Sequence, residues 1–335
     1  MVKNTRWSKL TASVLSAFVL VLFCTCTVFS SEEEYPVKPV TLYVPYGPGG
    51  STDLAARVLS SVIPQYLGQP VIVVNKPGAG GAICFEFVKN QRPDGYSIMM
   101  TAIGANVITP ALQEKLPFKY DDLTYIARTQ INPTLLAVRS DAPWKNMKEL
   151  IAFIKNNPKK VKFSVSGLGT LLYVGPAVLM QAAGLPGDSI TPIQYDSGAE
   201  ATLALLRGDV DFIYVNLPPL LGHLRAGKLR GLATATPKRL KAFPDVPTFA
   251  ELGFPDVDVL GWRGVAGPPK LPGYIVKKWE DAVKKTTKDK AWLKLVNKLG
   301  DMPGFLGQKD YEEFVNKDYK RFRTTFEKLG IVVKK

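Results

Sequence analysis

Histidine is nearly missing from this 335-residue chain: His223 is the only one. Cysteine is scarce too, at Cys24, Cys26 and Cys84. A zinc centre of His and Cys ligands, a Cys–His dyad and a Ser–His–Asp triad each need more than this supply, so those chemistries are excluded. His223 lies in "LPPLLGHLRAG", where a place on a helix surface is the expectation. Cys84, in "GGAICFEF", reads as a small core residue. There is no G-x-S-x-G elbow, and no paired-carboxylate motif stands out. The expectation is therefore no catalytic residue, no metal and no cofactor.

Charge is also absent from Leu10 to Phe29, an apolar run behind Lys3, Arg6 and Lys9. This charged-then-apolar layout is that of a secretory signal, with cleavage expected after Ser30. An uncleaved anchor and a lipid at Cys24 or Cys26 are the alternatives, although Phe23 and Thr25 are poor residues before a lipidated cysteine. Cleavage would leave Cys84 alone, so no intramolecular disulfide forms even in an oxidising compartment. The whole chain carries 43 Lys and Arg against 29 Asp and Glu. Without its first 30 residues the balance is 40 against 29, or +11. A basic exported protein favours anionic ligands. Nucleic acid is not expected as a partner.

What the chain has in abundance is alternation. "VTLYVPY", "PVIVVN" and "YSIMMTAI" read as strands, separated by helices over 51–67 and 80–90. A second series repeats the pattern. A helix in "WKNMKELIAFIKNN" carries an Asn146/Glu149 capping box, and the strand "VKFSVS" follows it. A helix over 170–184, the strand "TPIQY", a helix over 198–206 and the strand "DVDFIYV" complete the series. This βαβ order predicts an α/β protein of two doubly wound domains with mainly parallel sheets. Two extended stretches, 132–144 and 256–269, read as strands crossing between them. The expected division is 36–135 with 259–335 as one discontinuous domain and 136–258 as the other. The last 60 or so residues read as helical, and Tyr311, Phe314, Tyr319, Phe322 and Phe326 form a packing stripe.

"VPYGPGGSTD" raises the functional question. Gly49 and Gly50 permit a tight turn after a strand, and Ser51 or Thr52 is placed to cap the following helix, with Asp53 in its first turn. Free N–H groups at such a helix start attract a carboxylate or phosphate. A nucleotide is disfavoured. Ser51 stands where a Walker loop needs Lys, Thr52 breaks G-x-G-x-x-G, and Asp53 repels a polyphosphate. A plain strand-to-helix turn is the competing reading. In a parallel sheet the turns after Tyr46, Asn75 and Ala102 share one edge, as do "SGLGT", "YDSGAE" and "VNLPP" in the second unit. Two such edges facing each other make a cleft that closes on a ligand.

The segments "VPYGPGGSTD", "VVNKPGAGG", "PDGYSI", "LRGDVDF", "LRAGKLRGLA", "PDVPTFAELG" and "GWRGVAGP" occur in this order. Together they resemble the solute-binding proteins of tripartite tricarboxylate transporters, the Bug family, from about Tyr35 to the end. The resemblance implies a type II periplasmic binding protein fold, two domains joined by two crossing strands, working as a periplasmic monomer. It implies a small carboxylate as ligand, and delivery to one large and one small integral membrane subunit running as an ion-coupled symporter.

By the same resemblance, Tyr46, Gly49, Gly50, Ser51, Thr52 and Asp53 hold one carboxylate through backbone amides and water, with Ala102 and Ile103 beside them. Ser166, Gly169, Thr170, Tyr173, Ser197 and Asn216 face them from the other domain. The chain departs from the family pattern at Leu168, Leu171, Tyr173, Asp196 and Val215. These departures point to a ligand whose far end is apolar or aromatic and carries no amine. A sensor presenting its ligand to a membrane receptor kinase, and a hydrolase or lyase working with carboxylates alone, are the alternative functions.

Overall fold

The computed structural model describes residues 34–333. The candidate export signal, its cleavage point and the cysteines Cys24 and Cys26 lie outside the described residues.

β1 (Val40–Val44) alternates buried and part-exposed positions and leads through the glycine turn into α1 (Ser51–Val62). Pro64 starts a new helix, so the single helix expected over 51–67 is divided into α1 and a short α2 (Pro64–Leu67). Next come β2 (Val71–Asn75), α3 (Ala82–Lys89), β3 (Ser97–Ala102), a π turn (Gly104–Ile108), α4 (Thr109–Leu112) and β4 (Thr124–Asn132). The second series is β5 (Thr134–Arg139), α5 (Met147–Asn156), β6 (Val161–Val165), α6 (Leu171–Ala182) and β7 (Ile190–Gln194). It continues with α7 (Gly198–Arg207), β8 (Phe212–Asn216), α8 (Pro218–Arg225) and β9 (Leu229–Thr234). The chain closes with β10 (Gly261–Gly267), α9 (Gly273–Thr286), α10 (Lys290–Leu299), β11 (Met302–Leu306) and α11 (Gln308–Leu329).

The described strands form two sheets, ordered β11-β4-β10-β3-β1-β2 and β7-β6-β8-β5-β9. Neither is mainly parallel, which corrects the expectation. β1 pairs parallel with β2 and β3, and β6 with β7 and β8, whereas β4, β10 and β11 are antiparallel to their neighbours, as is β5 to β8 and β9. The reason lies in the connections. βαβ units build the parallel halves, and chain arriving from the other sheet runs back alongside them. Only Pro133 separates β4 of the first sheet from β5 of the second; the return runs from Thr234 to Gly261.

Local signals act as expected where side chains can cap. Asn146 accepts the Glu149 N–H at 3.0 Å, while the Glu149 carboxylate accepts the Lys145 N–H at 2.7 Å. Ser197 accepts the Glu200 N–H at 3.2 Å, and Gly208 ends α7 in the left-handed region at φ 85°. The aromatic stripe of α11 packs inward: Tyr311, Phe322 and Phe326 are buried, and Trp262 of β10 meets Tyr311 edge-on at 5.6 Å. The strand ends that carry the site are those of β1, β3, β6 and β8, which bring the glycine turn, Ala102, Ser166 and Asn216 to one place.

Candidate functional site

Gly49 adopts φ +75°, which a side chain would strain, and Gly50 is the N-cap of α1 in extended geometry. This corrects the expectation that Ser51 or Thr52 caps the helix. Glycine offers no side chain to the helix start, so the first amides of α1 keep no side-chain cap. Asp53 has a different occupation from the one expected of a ligand residue. Its Oδ2 accepts from the Gly49 N–H and from Arg57, each at 2.9 Å, and its Oδ1 accepts from Asn75 at 2.9 Å. Burial by itself would raise this carboxyl, but the Arg57, Gly49 and Asn75 hydrogen bonds outweigh it and hold Asp53 below the usual carboxylate range. Asp53 is thus an internal brace of the turn, and the Gly49 amide is committed to it.

Ser51 turns away from capping because it has partners in Arg263 of its own lobe and Asn216 across the cleft. Its hydroxyl accepts from Arg263 Nη2 at 2.7 Å and donates to Asn216 Oδ1 at 3.1 Å. The same Arg263 nitrogen donates to Asn216 Oδ1 at 2.9 Å, and Nη1 donates to the Trp262 carbonyl at 2.7 Å. Arg263 is 2% exposed, and its Nε has no partner. Burial pulls the guanidinium down from its ordinary value, with Asp301, Tyr46 and Tyr311 opposing; arginine keeps its proton under such conditions. The hydrogen bonds of this buried positive charge go to a hydroxyl, an amide oxygen and a carbonyl, and none goes to a carboxylate.

The space around this group is a cavity of about 30 Å³, room for one or two water-sized groups. Nine expected residues line it: Tyr46, Gly50, Ser51, Thr52, Ala102, Ile103, Ser166, Thr170 and Asn216. The other five do not. Gly49 and Asp53 are engaged as described. Ser197 caps α7, the Gly169 carbonyl accepts from Thr109, and Tyr173 lies against Phe163 on α6. Gly104, Leu171, Leu172, Gly198, Val215 and Arg263 complete the lining. Of these, Arg263 carries the most chemistry and was absent from the expected set. A single Arg inside the apolar strand "GWRGVAG" was the signal for it.

Three helix starts contribute to the lining: Ser51 and Thr52 of α1, Leu171 and Leu172 of α6, and Gly198 of α7. The first two helices lack any side-chain cap; Thr170 donates instead to the Gly167 carbonyl at 2.7 Å. Together with Arg263 they aim positive potential at one volume whose lining holds no Asp or Glu. Burial pushes the Tyr46 phenol up, so it stays a neutral hydrogen-bonding group, and it donates to the Gly80 carbonyl at 3.3 Å. Ala102, Ile103, Leu171, Leu172 and Val215 supply apolar surface to the same space.

The two halves of the cleft touch. Thr109 Oγ1 shares its single O–H between the Gly80 carbonyl at 3.1 Å and the Gly169 carbonyl of the opposite half at 2.9 Å. A second opening runs on from the first, sharing Tyr46 and Ser166, between Gly78–Gly81 and Gly167–Gly169, with Asp196 at its wall.

Residues 55–331 match the family described as tripartite tricarboxylate transporter family receptor. A UPF0065 protein of Bordetella pertussis is 33% identical over 299 residues, spanning 89% of this chain and 92% of its own. Among solved structures, Rpa4515 of R. palustris with adipate superposes with a TM-score of 0.84 at 26% identity, covering 89% of this chain and 99% of that one. MatC of Rhodopseudomonas palustris with bound malate gives 0.81 at 26%, covering 87% and 99%. The likeness gives the fold as the two-lobed type II periplasmic binding protein fold, and it identifies a solute-binding receptor rather than an enzyme. By the extent of that match, with a buried arginine at the meeting of its two lobes, the chain belongs to the tripartite tricarboxylate transporter receptor family, the Bug proteins.

Proposed function

We propose that this receptor captures a small dicarboxylate outside the cytoplasm and delivers it to a membrane transporter of one large and one small integral subunit. The carrying observation is Arg263, buried with no carboxylate hydrogen-bonded to it, beside three helix starts in a lining without a carboxylate. One ligand carboxylate pairs with the guanidinium and the α1 amides. The remainder lies against Ile103, Leu171, Leu172 and Val215. An ammonium group on the ligand finds no anionic partner in that lining, so adipate is favoured over aspartate or glutamate. Malate and adipate in related structures mark four- to six-carbon diacids as the class to try. Binding draws the lobes together about Pro133 and the 235–260 connection, the two places where the chain crosses.

The test is a thermal-shift screen of the purified protein against diacids, amino acids and neutral sugars. A ligand that binds only the native state raises the melting temperature. Adipate or a similar diacid is expected to do so. Stabilisation by glutamate or a sugar, with none by diacids, would defeat the reading.

A further inference from the structure

Behind Arg263 lies a polar layer that does not line the cleft. In the strand register Arg263 of β10 stands opposite Gln130 of β4, and Gly261 opposite Asn132, so these positions share one face of the sheet. Asp301, just before β11, accepts from Gln130 Nε2 at 2.7 Å. Gln130 and Asn132 are fully buried, and Asp301 is 2% exposed. The layer is under-satisfied. Gln130 Oε1, Asp301 Oδ1, Arg263 Nε and Asn132 Oδ1 have no hydrogen-bond partner. Three of these atoms, Gln130 Oε1, Asn132 Oδ1 and Asp301 Oδ1, are acceptors, and an ionised Asp301 has nothing to donate to the other two.

Resting on the carboxylate reading above, we propose that Asp301 is a positioning residue that takes up a proton when a ligand carboxylate pairs with Arg263, so that ligand and proton enter the closed receptor together. The proton comes from solvent and adds to a carboxylate oxygen of Asp301; no other bond forms or breaks. In the empty protein Arg263 is the charge that favours ionised Asp301. A ligand anion at the guanidinium cancels that field, and the neutral acid gains an O–H for the unpartnered acceptors around it. Burial pushes Asp301 up to about 7, with the Asn132 amide, Arg263 and Gln130 drawing it the other way, so the change falls near neutral pH.

The surroundings add no competing charge. From β4 Asp301 meets Gln130 and Asn132, both neutral, and from β10 Arg263 acts on it through space without an ion-pair contact. From α10 the Val296 carbonyl accepts the Asp301 N–H at 3.1 Å, and Leu217 closes over the preceding Gly300. Tyr46 and Tyr311 bear on Arg263, and burial raises both, so they stay neutral.

Calorimetry with adipate and malate as probes tests this, using the wild type and Asp301→Asn, whose amide imitates the protonated acid. Wild-type affinity should fall with rising pH above about 7, approaching tenfold per pH unit for one coupled proton. Repeating the titration in buffers of different ionisation enthalpy should count uptake of up to one proton per ligand. Asp301→Asn should bind with affinity independent of pH and take up none. A flat wild-type profile, or a variant that keeps the wild-type slope, overturns the proposal. If neither probe binds the wild type, the dicarboxylate reading fails, and the ligand-free protein still decides about Asp301. A raised carboxyl binds its proton more tightly folded than unfolded. Wild-type stability relative to Asp301→Asn should therefore decline as pH rises from about 4 to about 7. A constant difference overturns the assignment of Asp301 as the titrating group.

Discussion

Arg263 and Ser51 meet at 2.7 Å across 212 residues of sequence, and Asn216 closes the triangle at 2.9 Å from the same guanidinium nitrogen. Two of the three residues belong to the first lobe and the third to the second, so the contact that holds the charge also joins the lobes. A hydrogen bond to a charged group is worth about 1.5–3 kcal/mol, or roughly 10- to 100-fold in affinity. Arg263→Lys keeps the charge and loses the fork, and a loss of adipate affinity in that range is expected. Arg263→Met should lose at least as much while Ser51 and Asn216 stay bonded to each other. Calorimetry with melting curves checks both, and full-strength binding by Arg263→Met would show that the guanidinium does not hold the ligand.

Asp53 predicts an acid-dependent stability. Its carboxyl is held below the ordinary value, so the stabilisation is present above the unfolded value of 3.8 and is lost as pH falls through the folded one. Asp53→Asn should cost about 1–3 kcal/mol at neutral pH, where three partners lose a charged acceptor. The gap between wild type and variant should narrow below about pH 4. Denaturant unfolding at both pH values reads it, and a gap unchanged with pH would mean that the Asp53 charge is not what braces the turn.

Much of this fold is legible in the sequence because local chemistry agrees with the tertiary result. Asn146 and Ser197 cap helices as their spacing predicts, and Gly208 stops α7 in the conformation glycine permits. The glycine turn is legible as a candidate anion site for the same reason. What stays hidden is long-range. Nothing in the stretch from Asp301 to Leu306 announces a strand pairing with β4, and "TYIARTQIN" does not reveal its antiparallel partners. Asp53 reads as a ligand neighbour until Asn75 and Arg57 are seen to engage it. Arg263 is visible only as an oddity in an apolar run, since its partners lie 212 and 47 residues away.

Thr109 predicts a latch distinct from the ligand contacts. Its hydroxyl bonds both Gly80 and Gly169, whereas Thr109 does not line the cleft. Thr109→Val preserves shape and leaves both buried carbonyls without this donor, a cost of about 1–3 kcal/mol. The Gly80 bond lies within one lobe, so only the Gly169 part weighs on closure, and adipate affinity should fall about tenfold through the open–closed equilibrium. Small-angle scattering should show the variant less contracted at a given adipate concentration. Unchanged affinity would remove the latch from the mechanism.

Gly169 and Gly50 separate closure from occupancy. A Cβ at Gly169 would lie 2.8 Å from Thr109 Cβ and 2.9 Å from its Cα, closer than real side chains come. A Cβ at Gly50 would find Gly47 O at 3.5 Å and Gly198 N at 3.6 Å, which is ordinary contact. Gly169→Ala should therefore obstruct the meeting of the lobes and weaken adipate binding by roughly 10- to 100-fold, a loss of about 1.4–2.8 kcal/mol. The collision is between lobes and not within one, so the melting temperature of the open, ligand-free protein should barely move. Gly50→Ala should bind nearly as the wild type does. Gly50→Ile, whose longer branches would press on Gly198 and Ser197 of the opposite lobe, should lose binding. Equal affinity in Gly169→Ala and Gly50→Ala would mean that the lobes need not approach as closely as they do here for the ligand to be held.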